Sequence, residues 1–128
     1  MAKDLIHDAV KDRMEKIEKY QKLIIDLLEE QVAPYRRMET SELQEQVIVD
    51  MQHHHFQWLT IGWDEREQFI NTMNVHFTIK PNGKIWLMEN NTEIRIAEEL
   101  VKRGVPRQDI VLGFQPPSHR SMTDFAIA

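Results

Sequence analysis

FINTMNVHFTIKPNGKIWLME, residues 69–89, is a pair of β-strands with the turn that joins them. Met73, Val75, Phe77 and Ile79 alternate with Asn74, His76 and Thr78, the period of two that a pleated strand imposes. Ile85 and Leu87 then alternate with Trp86 and Met88. Between the two runs stand Pro81, Asn82 and Gly83, and Asn-Gly is a strong hairpin signal because both residues tolerate positive φ. Strands are therefore expected over residues 69–80 and 84–89, with Met73 on the Val75 face and His76 able to share a surface with Trp58.

The same period extends upstream. Val47 and Val49 mark a strand near residues 46–51, and Phe56, Trp58 and Thr60 alternate with Leu59, Ile61 and Trp63 over residues 56–63. The polar turn Asp64, Glu65, Arg66, Glu67 separates that strand from the next. Connections this short imply antiparallel neighbours, so the expectation is a four-stranded antiparallel meander within an α+β fold, one domain spanning residues 1–128.

Helices flank the strands. Ile6, Val10, Met14, Ile17, Tyr20, Ile24, Leu27 and Leu28 recur at helical spacing, predicting a long helix over residues 4–32 that ends near Pro34. Arg13 interrupts the apolar seam, which favours packing on a sheet over pairing with a partner helix. A second helix is expected to open at Thr92 as N-cap, to bury Ile94, Ala97, Leu100 and Val101, and to stop at Gly104 before Val105 and Pro106. Residues 107–114 fit a short helix or a strand equally, and Pro116 and Pro117 impose an extended stretch before residues 123–127.

Composition excludes several classes. The 128 residues include no cysteine, so thiolate metal sites, disulfides and thiol nucleophiles are absent. The formal charge of −5 arises from both halves, with 8 basic and 11 acidic residues in 1–45 and 8 and 10 in the rest. Direct nucleic-acid binding is therefore not expected, since it draws on a basic surface. Neither a signal peptide nor a membrane span is legible, and a cytoplasmic home is the expectation.

Candidate sites are few. His53, His54 and His55 are consecutive, but only alternate residues of a strand share a face and a closed zinc site needs four ligands, so no metal or other cofactor is expected. His7 and His119 show no ligand spacing. Glu89, Glu93 and Asp64 could serve acid–base chemistry only if the fold gathered them, and Ser118, His119 and Ser121 lack any visible oxyanion hole. There is no glycine-rich phosphate loop and no nucleophile elbow, so no catalytic residue is assigned and the chain is read as a non-enzyme. The apolar residues on both sheet faces are more informative. Trp58, Trp86 and Met88 are types enriched in interface cores, and they are the candidate protein-contact residues.

The runs Gly83-Lys-Ile-Trp-Leu, Asn91-Thr-Glu-Ile, Ile96-Ala-Glu-Glu-Leu-Val, Arg103-Gly-Val-Pro, Asp109-Ile-Val-Leu-Gly-Phe and Thr123-Asp-Phe-Ala-Ile-Ala, in this order, resemble the XisI family. Ile61-Gly-Trp-Asp, Val75-His-Phe-Thr-Ile and Tyr20-Gln-Lys-Leu-Ile extend the likeness upstream, to roughly residues 14–128. Members of that family are cyanobacterial excision controlling factors of the fdxN element. The resemblance implies an accessory role in programmed DNA rearrangement, with a site-specific recombinase or the nuclease-like factor XisH as protein partner and a homo-oligomer as a further option. It carries no catalytic residue. The alternative class is a small metal-dependent or hydrolytic enzyme.

Overall fold

The computed structural model describes residues 2–128. It runs α1 (Ala2–Arg36), β1 (Leu43–Asp50), β2 (His55–Trp63), β3 (Phe69–Ile79), β4 (Ile85–Asn90), α2 (Ile96–Lys102) and β5 (Ile110–Leu112), with 3-10 turns at Arg107–Asp109 and Pro117–Met122. The strands lie in sequence order in one five-stranded sheet. The first three pairings are antiparallel, but β5 joins β4 in parallel, with Ile85 opposite Ile110 and Leu87 opposite Leu112.

The expected four-stranded antiparallel meander is thus corrected to a five-stranded mixed sheet. Three residues are too few to show a period, so Ile110–Leu112 carried no strand signature of its own. Its direction follows from the connection: a chain that leaves β4 and crosses through a helix returns running the same way.

One layer of helix covers one face of this sheet. Tyr20, Ile24, Leu27, Leu28 and Val32 of α1 are buried against Phe56, Trp58, Val75, Phe77, Ile85 and Leu87, and Ile96, Ala97 and Leu100 of α2 join the same cluster. Burying each phenylalanine contributes about 2–3 kcal/mol. At 35 residues α1 is about 52 Å long, and its residues 5–15 extend beyond the core as exposed helix. It also runs past its expected end, carrying Pro34 inside its last turn. No described helix is long and apolar enough to cross a membrane.

Two bulges reset the faces. Trp58 pairs with Val75 but Leu59 with Met73, which leaves Asn74 as the extra residue, and the pairing of His76 with Glu89 and Phe77 with Leu87 leaves Met88. An extra residue reverses the alternation on one side of it. Met73 therefore lies beside Leu59 on the face away from Val75, against expectation. His76, opposite Gln57, lies on the face away from Trp58 as well, set there by the β2–β3 register and not by a bulge.

The start of α2 also differs from the sequence reading. Thr92 caps no helix: its hydroxyl donates to Asn90 Oδ1 at 2.6 Å and accepts from the Ile94 N–H at 3.1 Å, closing a turn that delays the helix to Ile96. The expected stop is observed. Gly104 has φ +98°, its N–H donates to Val101 O, and the N–H of the buried Val105 donates to Leu100 O, the paired bonds of a Schellman cap.

Gly62 and Gly104 both hold positive φ, but a Cβ on Gly62 would sit 1.7 Å from the Glu42 carbonyl oxygen, whereas one on Gly104 meets nothing within 4 Å. Gly104→Ala should therefore cost about 1–2 kcal/mol of left-handed strain alone. Gly62→Ala should cost at least twice that, about 3 kcal/mol or more, because β1 must move away from β2. Denaturant midpoints of the two variants check the ranking, and equal losses would show that the β1–β2 approach is looser than described.

Candidate functional site

With both helices on one side, the opposite face of the sheet becomes the first surface to consider. Cross-strand pairing places Ile48, Leu59, Ile61 and Met73 on it, accompanied by Gln44, Gln46, Gln57 and Asn71. Ile48 is 41% exposed on the edge strand β1, and Leu59, Ile61 and Met73 are half-buried. No described helix packs on this β1–β3 half.

The β4–β5 half of the same face is closed by the chain itself. The segment after β5 folds back over it, and Gly113 permits the approach: a Cβ there would meet Met88 Sδ at 2.7 Å and Trp86 at 3.0 Å. Arg120 lies with its guanidinium carbon 4.8 Å from the Trp86 ring centroid, and Lys80 Nζ is 5.1 Å from it. Arg120 also donates to the carbonyls of Gln115 and Gly113. The Trp86 indole N–H is buried there without an acceptor.

Trp58, Trp86 and Met88 consequently do not share a surface. Trp58 is 2% exposed on the helix-bearing face, where its indole N–H donates to Glu45 Oε2 at 2.8 Å. Trp86 and Met88 are half-buried under the C-terminal segment. The open residues Ile48, Leu59 and Met73 had no place among the candidate contacts, and the only sequence signal for them was the apolar excess on both faces of β2.

The histidines disperse. His53 Nδ1 bonds Asp50 Oδ2 at 2.9 Å in the β1–β2 turn, His54 with φ +61° meets Gln21 of α1 at 2.6 Å, and His55 Nδ1 lies 3.2 Å from His76 Nε2. His55 and His76 sit on the open face, with Glu89 across the ladder from His76. Among the described residues no group of three or more His, Asp or Glu side chains is arranged to hold a metal ion. Glu89 and Glu93 approach the same loop without facing each other through a hydrogen bond, and Asp64 is occupied in its own turn, accepting from the N–H groups of Arg66 and Gln68.

A cleft of about 470 Å³ opens on the helix-bearing face beyond the end of α1, with Tyr35, Trp58, Thr60, Asn74 and Glu93 around Glu45. Glu45 Oε2 accepts from both Trp58 and the Thr60 hydroxyl, the latter at 2.6 Å, and Thr60 Oγ1 in turn accepts from Asn74 Nδ2 at 2.8 Å. The Asn74 bulge is what delivers that amide. The Glu45 carboxyl group is thereby oriented by two donors, the Trp58 indole and the Thr60 hydroxyl, which both meet Oε2.

Burial, followed by the charge of His55, holds the His76 imidazole below its ordinary value near 6.5, while Glu89 opposes the shift. A group with a depressed folded pKa binds fewer protons in the fold than in the unfolded chain, so the stability present above pH 6.5 is lost as pH falls below it. Unfolding midpoints should therefore decline as the pH falls below 6.5. His76→Gln should flatten that decline, and an unchanged decline in the variant would assign it to other groups. Trp86→Ala should lower the unfolding stability by about 2 kcal/mol, because the ring is covered by the chain's own C-terminal segment. A midpoint that stays at the wild-type value would return Trp86 to the surface.

The XisI protein family matches the chain over residues 14–127. A solved XisI-like protein from Anabaena variabilis ATCC 29413 is similar at 41% identity and TM-score 0.76, with 88% of this chain and 99% of that chain covered. The fdxN element excision controlling factor XisI from the same organism is similar at 32% identity and TM-score 0.73, with the same coverage. Among curated proteins none matches.

Proposed function

Because the chain belongs to the XisI family, we propose that it is an accessory factor in the control of DNA-element excision and that it acts by binding another protein, without chemistry of its own. The resolved relative described as an excision controlling factor supports the regulatory part of this reading. The open β1–β3 half of the sheet carries the rest. Its Ile48, Leu59, Ile61 and Met73 form an apolar surface framed by glutamines and asparagine, while the neighbouring half of the same face is already covered. Interface cores are apolar with polar rims and few charges, and this half of the face has that composition. The preferred partner is a XisH-like factor, with a site-specific recombinase second, and the site of action is the cytoplasm. The net charge of −5 supports a protein target over bare DNA.

Ile48→Lys tests this directly, since the side chain is 41% exposed and its loss leaves the core intact. The variant should keep its unfolding midpoint while binding to the purified XisH-like factor weakens by roughly 30-fold, the equivalent of about 2 kcal/mol for one interface residue. Sedimentation of the mixture reads both states. A wild-type chain that ignores the XisH-like factor and the recombinase alike would overturn the reading.

A further inference from the structure

The cleft around Glu45 has a chemistry of its own. Its carboxylate is half-buried and fixed on one side, with Oε2 committed to Trp58 and Thr60, while Oε1 has no hydrogen-bond partner among the described residues. Tyr35, 47% exposed, presents a ring against Trp58 at a centroid separation of 5.3 Å. A second carboxylate, Glu93, stands exposed at the cleft, and among the described residues no lysine, arginine or histidine lines it. Arg36, the guanidinium whose charge is coupled to Glu45, is bonded instead to Glu29.

We infer that this cleft receives a guanidinium group, an arginine side chain presented by a protein partner. A planar guanidinium suits both elements of the wall. It donates a hydrogen bond to the free Oε1 while its plane stacks on an aromatic face, where an ammonium, a point charge without a plane, makes the first contact and not the second. Glu45 is already oriented by its indole and hydroxyl donors, so little side-chain freedom is lost on binding. A guanine base offers a similar donor edge, but in a nucleic acid it arrives with phosphates, and the wall meets those with carboxylates and no cation. The proposal rests on the protein-binding reading only for the source of the arginine. The cleft lies on the helix-bearing face, so either surface can fail without the other.

The chain has three tryptophans, hence three indole N–H resonances, and only that of Trp58 is bonded to Glu45. Titrating the folded full chain with N-acetyl-arginine amide should move the Trp58 resonance with a dissociation constant of roughly 1 mM, leaving those of Trp63 and Trp86 in place. N-acetyl-lysine amide should bind several-fold more weakly. Glu45→Gln keeps an acceptor for Trp58 and Thr60 but removes the charge, and should weaken the arginine probe by roughly tenfold. Should that variant not fold, Tyr35→Ala, which removes a largely exposed ring, should still weaken it several-fold. A Trp58 resonance that stays fixed, equal binding of the two amides, an unchanged affinity in both variants, or tighter binding of guanosine monophosphate would each overturn the assignment.

Discussion

The seating of α1 on one face of the sheet is the interaction on which the remainder of the molecule depends. Tyr20, Ile24, Leu27, Leu28 and Val32 meet Phe56, Phe77, Ile85 and Leu87 in one continuous cluster, and α2 adds Ile96 and Leu100 to the same side. A sheet has two faces, and a single helical layer can close only one of them. The apolar residues on the other side must be covered by other means or left as surface.

The chain does both. Its C-terminal segment closes the β4–β5 half, an arrangement that needs the bare backbone of Gly113 against Met88 and Trp86 and the Arg120 guanidinium over the indole. That segment is reached through β5, which is in turn tied to α1. Tyr20 Oη donates to Asp109 Oδ2, and Lys16 Nζ lies 3.0 Å from the same carboxylate oxygen. Burial, followed by the bond to Asp109, raises the Tyr20 phenol well above its ordinary range, so the hydroxyl stays a donor at any physiological pH. The half of the face without such a closure is the one that carries the functional reading.

Bulges account for the chemistry on both sides. One extra residue at Asn74 sends Met73 to the open face and directs the Asn74 amide at Thr60, beside Glu45. The extra residue at Met88 shifts Glu89 opposite His76. A period-two reading has no means of seeing such a slip, because the residues on either side of a bulge still alternate. A bulge thus moves Met73 away from the Val75 face that its alternation predicts, whereas His76 parts from Trp58 through the β2–β3 register, which alternation within one strand does not specify.

The α1 stripe, the four antiparallel strands, the Pro81-Asn82-Gly83 turn and the Gly104 stop follow from local patterns, where side-chain period and backbone stereochemistry act within a few residues. The ordered motifs from Tyr20 to Ala128 also carry the family resemblance. Tertiary structure alone decided the direction of β5, the delayed start of α2, and which apolar faces remain open. Three-residue strands such as Ile110–Leu112 have no period of their own and take their direction from the crossover before them. Thr92 Oγ1 accepts from the Ile94 N–H and donates to Asn90 Oδ1 within its own turn, so it is not free to accept from the N–H groups at the start of α2. Whether Trp58 and Trp86 meet solvent depends on α1 and on residues 113–122, elements far from them in the chain, and no local pattern encodes a cover supplied from a distance.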